Sequence, residues 1–453
     1  MEIKKNSKLP NFWYTKLMPK VFRKKILLVL TAAVLFGGGF AGGWLAKEKL
    51  AGKQKSSPSE PHLAFLDEVY QTISQNYWEK ISDQQLGQLF LAASQKVSGS
   101  SLGQTETNEN LDKEKLFQKL KEILKSIPEE KKSDFVAQIS DLVLANLAPA
   151  GRSRLYTQKE EKALSENVNN VTSEDFYQIL EVPKEASSEA IARAYRQKSA
   201  VLEKEAEKSP TAAAELKKVK KAYQTLADSA SRQLYNQAGI EPTLEYQLLT
   251  SDILHLHLKK ISPTSLEELK RVTEKFDKEG GPTTLIFDLR DNIGGSLDIL
   301  PYLLGPFIGP DSEAFRLYHQ GERQAFRSQT GWLPSLVRYK KVVILINGNT
   351  QSSAEAMAAA LKKYNVGVLL GTPTRGWGTV EKVFPLSQQQ DKNNKYSIFL
   401  VHSLVLADDG QPIEGRGVTP TIDIRSADWK KQLQAYFNYP EIISKLDQLV
   451  QLD

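Results

Sequence analysis

The stretch from Val342 to Val383 constrains this chain most. VVILI, an unbroken apolar run, opens through Asn347 to Ser352 into SAEAMAAALKK, a run rich in helix formers. An apolar run of that length followed at once by a helix reads as a buried strand feeding a helix, the unit from which α/β cores are built. Ser352 stands in the turn between them. A serine hydroxyl is a poor nucleophile at neutral pH unless a neighbour takes its proton. The position therefore has two readings at this stage, a nucleophile or a small residue that suits a tight strand-to-helix turn.

Other segments fit the same core. Leu285 to Gly295, LIFDLRDNIGG, reads as a buried strand ending in Asp288, Arg290 and a Gly-Gly turn, where missing side chains permit close backbone approach. Ile253 to Leu258 and Ser397 to Leu406 read as strands, and Ser265 to Phe276 as a helix with apolar residues at helical spacing. Asp408 to Ile424, DDGQPIEGRGVTPTIDI, closes the series.

In this order, over about Leu244 to Ile424, the segments resemble the C-terminal processing (tail-specific) serine proteases, whose motifs include N-x-x-S-A-S-A-S-E, L-D-L-R-x-N-x-G-G and P-D-G-x-x-I-x-G-x-G-I-x-P-D-I. The resemblance implies a crotonase/ClpP-like α/β peptidase core. It also implies Ser352 as nucleophile, Ser353 with Gly294 or Gly295 as oxyanion amides, and Asp288, Arg290, Glu355, Gly376 and Gly378 as supporting motif residues. Preorganised amides of this kind are worth roughly 3 to 4 kcal/mol to a developing oxyanion. The family's general base is a lysine 25 positions after the serine, and here that slot holds Trp377. Indole accepts no proton, and the neighbouring Arg375 stays protonated. Lys362, Lys363 and Lys382 lie nearby in sequence, and Lys363 stands where relatives carry an aspartate. Asp408 replaces the proline of P-D-G, and Thr421 the aspartate after the later proline. With the lysine replaced by Trp377 and the aspartate 11 residues after the serine by Lys363, the site reads as degenerate, and an active serine peptidase with a non-standard base is the alternative.

At 453 residues the chain exceeds one domain, and with no cysteine it has neither disulfides nor thiolate chemistry. Residues 1–25 carry eight cations against Glu2, a net of +7, so the remainder contributes −1 to the total of +6. The basicity is a tail and not a nucleic-acid face. It abuts Ile26 to Ala46, 21 residues without a charge, long enough to cross about 30 Å of hydrocarbon as a helix. The positive flank orients the tail to the cytoplasm and the bulk outside, which predicts a single-pass cell-membrane protein. A cleavable signal peptide is the competing reading, although the apolar run is longer than the usual signal core.

Residues 47–61 form a polar linker and 62–170 a helical region, with a polar loop at 98–110. FLDEVYQTISQNYWEKISDQQL and GRSRLYTQKEEKALSE resemble the family's N-terminal helical region. The family then places a PDZ domain that grips substrate C termini, and no such pattern follows. Residues 171–240 instead resemble a J-domain, on DFYQILEV, ASSEAIARAYR and KAYQTLAD. The His-Pro-Asp triplet such domains use on their ATP-driven chaperone falls at Glu203, Lys204 and Glu205. A binding or structural module is expected, a co-chaperone being the lesser reading.

The peptidase-like core is predicted over 241–425 and a C-terminal helix over 426–453. His255, His257 and His402 lie in strands with no acidic partner at metal-ligand spacing, and structural roles are expected. A pairing of His402 with Ser352 is the sharper alternative. Expected partners are protein or peptide C termini, the membrane, and a second copy or an active protease paralogue. No metal, cofactor or nucleic acid is expected.

Overall fold

The computed structural model describes residues 60–99, 111–388, 390 and 395–450. Ile26 to Ala46, the predicted anchor, lies outside them, as do the basic tail and most of the 98–110 loop. Among the described residues no helix is long and apolar enough to cross a membrane.

Among the described residues four helices come first: α1 (Pro61–Asn76), α2 (Asp83–Ser98), α3 (Lys113–Lys125) and α4 (Glu129–Asn146). Local chemistry sets their ends. Ser82 and Gln85 form a reciprocal capping box on α2, and Gly99 closes that helix in the left-handed region. A short strand, β1 (Arg154–Thr157), and α5 (Gln158–Val168) follow.

The J-like module is a helical bundle of α6 (Phe176–Leu180), α7 (Ser188–Ala206), α8 (Pro210–Ala227) and α9 (Ser229–Ala238) around Phe176, Leu180, Ile191, Val219 and Leu226. Its two ends meet, since Val171 and Ile240 form an antiparallel bridge. Residues 203–205 do not occupy a connecting loop. They lie inside α7, and the turn into α8 is Glu207 to Ser209. Glu and Lys are good helix formers, so without a proline at these positions the helix runs on, and Pro210 then opens α8 where its missing N–H costs nothing.

The core holds two sheets. One has six strands in the order β11-β8-β7-β4-β3-β2, with β2 (Leu244–Leu248) antiparallel to β3 (Ile253–Leu258). Parallel pairing joins β3, β4 (Thr284–Asp288), β7 (Lys341–Ile346), β8 (Val368–Gly371) and β11 (Ile422–Asp423). Alternate residues of each strand enter opposite layers, as the period of two demands. Leu254, Leu256, Leu285, Phe287, Ile344 and Ile346 share a core with α10 (Ser265–Phe276), α11 (Leu300–Ile308) and α13 (Ser353–Lys363), the short α12 (Pro334–Val337) lying beside it. Ile253, Ile286, Val343 and Leu345 pack instead with α14 (Trp429–Tyr436) and α15 (Pro440–Val450). The single C-terminal helix read from sequence is thus two: the first ends at the extended Phe437, and Pro440, which disfavours helical geometry in the residue before it, opens the second.

The second sheet is built on β10 (Tyr396–Leu406). It pairs with β1, with β5 (Glu313–His319) and with β9 (Thr379–Pro385), while β6 (Glu322–Arg327) extends it beyond β5. Ile398, Leu400 and Leu404 of β10 share the core of helices α1 to α4, which fastens the N-terminal helices to this sheet.

Candidate functional site

Ser352 occupies the hinge between β7 and α13 with φ 57° and ψ −131°, backbone geometry that a residue with a Cβ adopts only when its surroundings enforce it. The enforcement is visible. Its N–H donates to Glu355 Oε2 at 2.9 Å, and the N–H of Gln351 donates to the carbonyl of Asn292 at 2.9 Å. The glycine turn packs directly against it: a Cβ on Gly294, whose φ is 84°, would stand 2.7 Å from the Ser352 Cβ and 3.0 Å from the Ser353 nitrogen. Only glycine fits there.

The three amides singled out from sequence are not equivalent. Gly294 donates its N–H to Asn292 Oδ1 at 2.8 Å, and its carbonyl accepts from Ile261 at 2.9 Å. The amides of Gly295 and Ser353 have no protein acceptor among the described residues.

Glu355 is the organising group. Fully buried, it accepts from the Thr374 hydroxyl at 2.6 Å and the Gly376 amide at 2.7 Å through Oε1, and from the Ser352 and Trp377 amides through Oε2. Burial pushes its carboxyl above the usual range against the pull of these donors.

Trp377, at the position where the resemblance places a lysine, has its ring clamped. The Arg152 guanidinium lies 3.4 Å from the ring centroid, that of Arg375 lies on it at 5.5 Å, and the indole N–H points to Glu381 Oε1 at 3.4 Å. Arg152 also donates to Glu414 Oε1 at 2.9 Å, and Glu414 Oε2 accepts from the Gly378 amide at 2.7 Å. Burial raises the Glu381 carboxyl. Arg152 and Glu381 carried no sequence signal of a site role, one lying outside the core segment and the other in an alternating strand.

Among the described residues no amine hydrogen-bonds to the Ser352 hydroxyl. Lys362 donates to the Thr419 carbonyl at 2.8 Å, Lys363 pairs with Glu313 at 2.8 Å and Asp408 at 3.1 Å, and Lys382 lies 3.3 Å from His402 Nε2. His402 is turned to Lys382 and to the Ser403 hydroxyl at 2.7 Å.

Asp288 and Arg290 form a buttress beneath the glycine turn. Arg290 donates to Asp288 Oδ2 at 2.7 Å and to the Leu449 carbonyl of α15 at 2.9 Å, and His255 Nε2 meets Asp288 Oδ2 at 2.9 Å. Burial opposes ionisation, but the His255 and Arg290 contacts hold the Asp288 carboxyl well below the usual carboxylate range. His257 Nε2 meets the Arg290 carbonyl at 2.9 Å, so both strand histidines serve this buttress.

Comparison with known proteins matches residues 252–424 to peptidase family S41 and residues 175–236 to the DnaJ domain. The carboxy-terminal processing protease CtpA of Bacillus subtilis is 25% identical over 190 residues, covering 42% of this chain and 38% of that protein. The carboxy-terminal-processing protease of Bartonella bacilliformis is 26% identical over 175 residues, covering 38% of each. The chaperone protein DnaJ of Haloquadratum walsbyi is 42% identical over 67 residues, 15% of this chain and 17% of that one. The chain therefore spans well under half the length of each of these relatives. Among solved structures, the photosystem II D1 C-terminal processing protease aligns over 81% of this chain and 94% of its own, with 12% identity and TM-score 0.46. A lipoprotein from Streptococcus agalactiae aligns over 85% and 99%, with 15% identity and TM-score 0.42.

Proposed function

We propose, from the premise that this chain carries a peptidase family S41 domain and a DnaJ-like domain, that it binds protein C-terminal peptides without cleaving them. In this reading it is a membrane-anchored, extracytoplasmic pseudoprotease. The observation that carries the proposal is the Trp377 clamp. An indole packed under Arg152 and held by backbone to Glu355 stands where a proton acceptor is required, and Lys362, Lys363 and Lys382 are engaged elsewhere. Losing a member of a catalytic unit costs serine proteases several orders of magnitude. The amides of Gly295 and Ser353 remain suited to a peptide carbonyl or terminal carboxylate.

Those amides, with the strained Ser352 backbone, also favour a second reading, an active serine peptidase using an unconventional base. A co-chaperone role is disfavoured, because residues 203–205 are Glu, Lys and Glu within a helix. The purified protein and Ser352→Ala are compared on an unstructured protein substrate. We expect no Ser352-dependent cleavage, together with measurable binding of C-terminal peptides. Cleavage by the parent that vanishes in Ser352→Ala would revive the enzyme.

A further inference from the structure

We infer that the outer edge of β2 pairs antiparallel with the same strand of a second copy of this chain, so that the six-stranded sheet continues across a two-fold axis. This pairing is independent of what the serine turn binds. β2 stands at one end of the sheet, and among the described residues β3 is its one strand partner. The hydrogen bonds at either end of that pair fix which backbone groups face outward. The Lys259 amide donates to the Thr243 carbonyl at 2.9 Å and the Leu249 amide to the Ile253 carbonyl at 3.0 Å, so the odd-numbered residues of β2 turn their backbone to β3. Tyr246 and Leu248 therefore point their N–H and carbonyl groups away from the sheet. Leu244 points outward as well, but its amide is taken by Glu268 Oε2 at 2.9 Å.

Sheet edges that must stay unpaired are guarded by charge, proline or bulges. β6, the outer strand of the second sheet, follows that rule with Glu322, Arg323 and Arg327. β2, LEYQL, has no proline, no lysine and no register shift. Its free stretch presents Tyr246 and Leu248, 38% and 48% exposed, on one face of the strand. Tyr246 is held in place, its ring edge-on to Phe276 at 5.9 Å and its hydroxyl accepting from Lys275 at 3.0 Å.

A second copy is the occupant because the strand is complementary to itself. In the register centred on Gln247, Tyr246 of one strand lies opposite Leu248 of the other, and the outward N–H and carbonyl groups of both residues all find partners. An aromatic and an aliphatic side chain then meet on each side of the axis, the kind of cross-strand pair that stabilises antiparallel sheets. Glu245, the one charge of the strand, falls opposite Leu249 and is already paired with Lys259. Centring the axis on Tyr246 would instead set Leu248 against Leu244, whose amide is occupied, and centring it on Glu245 would bring carboxylate to carboxylate. Gln247, on the axis, belongs to a pair without backbone hydrogen bonds, where Cα atoms approach to about 4.5 Å. Its side-chain nitrogen meets His255 Nδ1 at 3.2 Å, and His255 shares Asp288 with Arg290, so the paired strands abut the buttress beneath the glycine turn.

The chain has no cysteine, so a single Gln247→Cys reports on the axis alone. Mild oxidation of that full-length variant in detergent micelles should give a covalent dimer on a non-reducing gel, because a Cα separation of about 4.5 Å suits a disulfide. Glu245→Cys should stay monomeric on the gel, its copy lying about 13 Å away in this register. Light scattering with the detergent subtracted should give twice the chain mass for the parent. Leu248→Lys should raise the dimer dissociation constant about tenfold, since the symmetry removes two cross-strand pairs at once and sets a charge on each edge. Thermal unfolding checks that this half-exposed position tolerates the change. A monomeric parent, or Leu248→Lys associating as tightly as the parent, would overturn the edge contact. Cross-linking of Glu245→Cys with none at Gln247→Cys would overturn the register that makes the strand self-complementary. A monomer whose Tyr246 and Leu248 amides nonetheless resist hydrogen exchange would assign the edge to another segment of the same chain and overturn the second copy as its occupant.

Discussion

The backbone amides of Ser352 and Trp377 end on one atom, Oε2 of Glu355, at 2.9 and 2.7 Å. The turn that presents the serine and the turn that should present its base are therefore held in register by a single carboxylate, whatever side chain fills the second turn. Glu355→Ala strands four donors, of which the Thr374 hydroxyl and the Gly376 amide are buried and cost about 1 to 3 kcal/mol each when left unsatisfied. We expect a loss of at least about 3 kcal/mol in denaturant unfolding, with abolished peptide binding. A near-neutral result would show that the two turns hold themselves.

Trp377→Lys alone should not restore hydrolysis, because the new amine would face the Arg152 guanidinium, now 3.4 Å from the indole centroid. The guanidinium would favour the neutral amine that a base needs, but it fills the space through which the lysine stem would have to reach the serine, so position and not protonation is the obstacle. Adding Arg152→Ala should yield slow cleavage of an unstructured protein that disappears with Ser352→Ala. Faster cleavage by the single variant than by the double would refute the clamp as the obstacle.

Asp288→Asn removes the buried carboxylate that Arg290 and His255 share, and breaking one side of a buried ion pair typically costs about 3 to 5 kcal/mol. The pH dependence has a definite sign. Because the folded carboxyl is depressed, its stabilisation is complete above the unfolded value near pH 4 and drains away as pH falls below it. Acid unfolding of Asp288→Asn should lack that part of the slope, and parallel curves for the two proteins would contradict it.

His402 titrates in the opposite sense from a salt-bridged histidine. With the folded imidazole at about 3, the unfolded chain binds the extra proton, so stability is present above about pH 6.5 and declines as pH falls towards 3. His402→Gln should flatten this decline. In Lys382→Gln the imidazole resonance should titrate at higher pH than in the parent, and an unmoved midpoint would exclude Lys382 as a cause.

Gly294→Ala places a methyl group 2.7 Å from the Ser352 Cβ at a backbone φ of 84°. We expect a loss of about 1 to 3 kcal/mol and weakened peptide binding, since the turn must retreat from Ser353. Unchanged affinity would separate the glycine turn from the ligand site.

Much of the core was legible because its strands announce themselves. LIFDL and VVILI are buried on both faces, so their apolar runs mark the sheet centre, and Ser265 to Phe276 forms a helix over the residues its spacing indicated. The site was less legible, because its clamps come from distant parts of the chain. Arg152 meets Trp377 across more than 200 positions, and nothing local to GRSRLYT marks that arginine. Nor could alternation along β9 and β10 reveal that a bulge would turn His402 onto His319 and Lys382, since a bulge breaks the period on which such a reading relies. At residues 203–205, where the J-domain pattern carries its His-Pro-Asp triplet, the helix propensity of Glu and Lys prevails.

The bridge between Val171 and Ile240 has an architectural consequence. Just outside it, the Glu241 amide donates to the Asn170 carbonyl at 3.0 Å, so the polypeptide enters and leaves the bundle at one point. A chain lacking the roughly seventy intervening residues would need only a tight turn to rejoin its flanks, because closing so short a gap carries little entropic cost. The helical module is thus inserted as a cassette, tied to the core by side-chain contacts such as Arg271 to Asp228 at 3.1 Å and not by a shared strand.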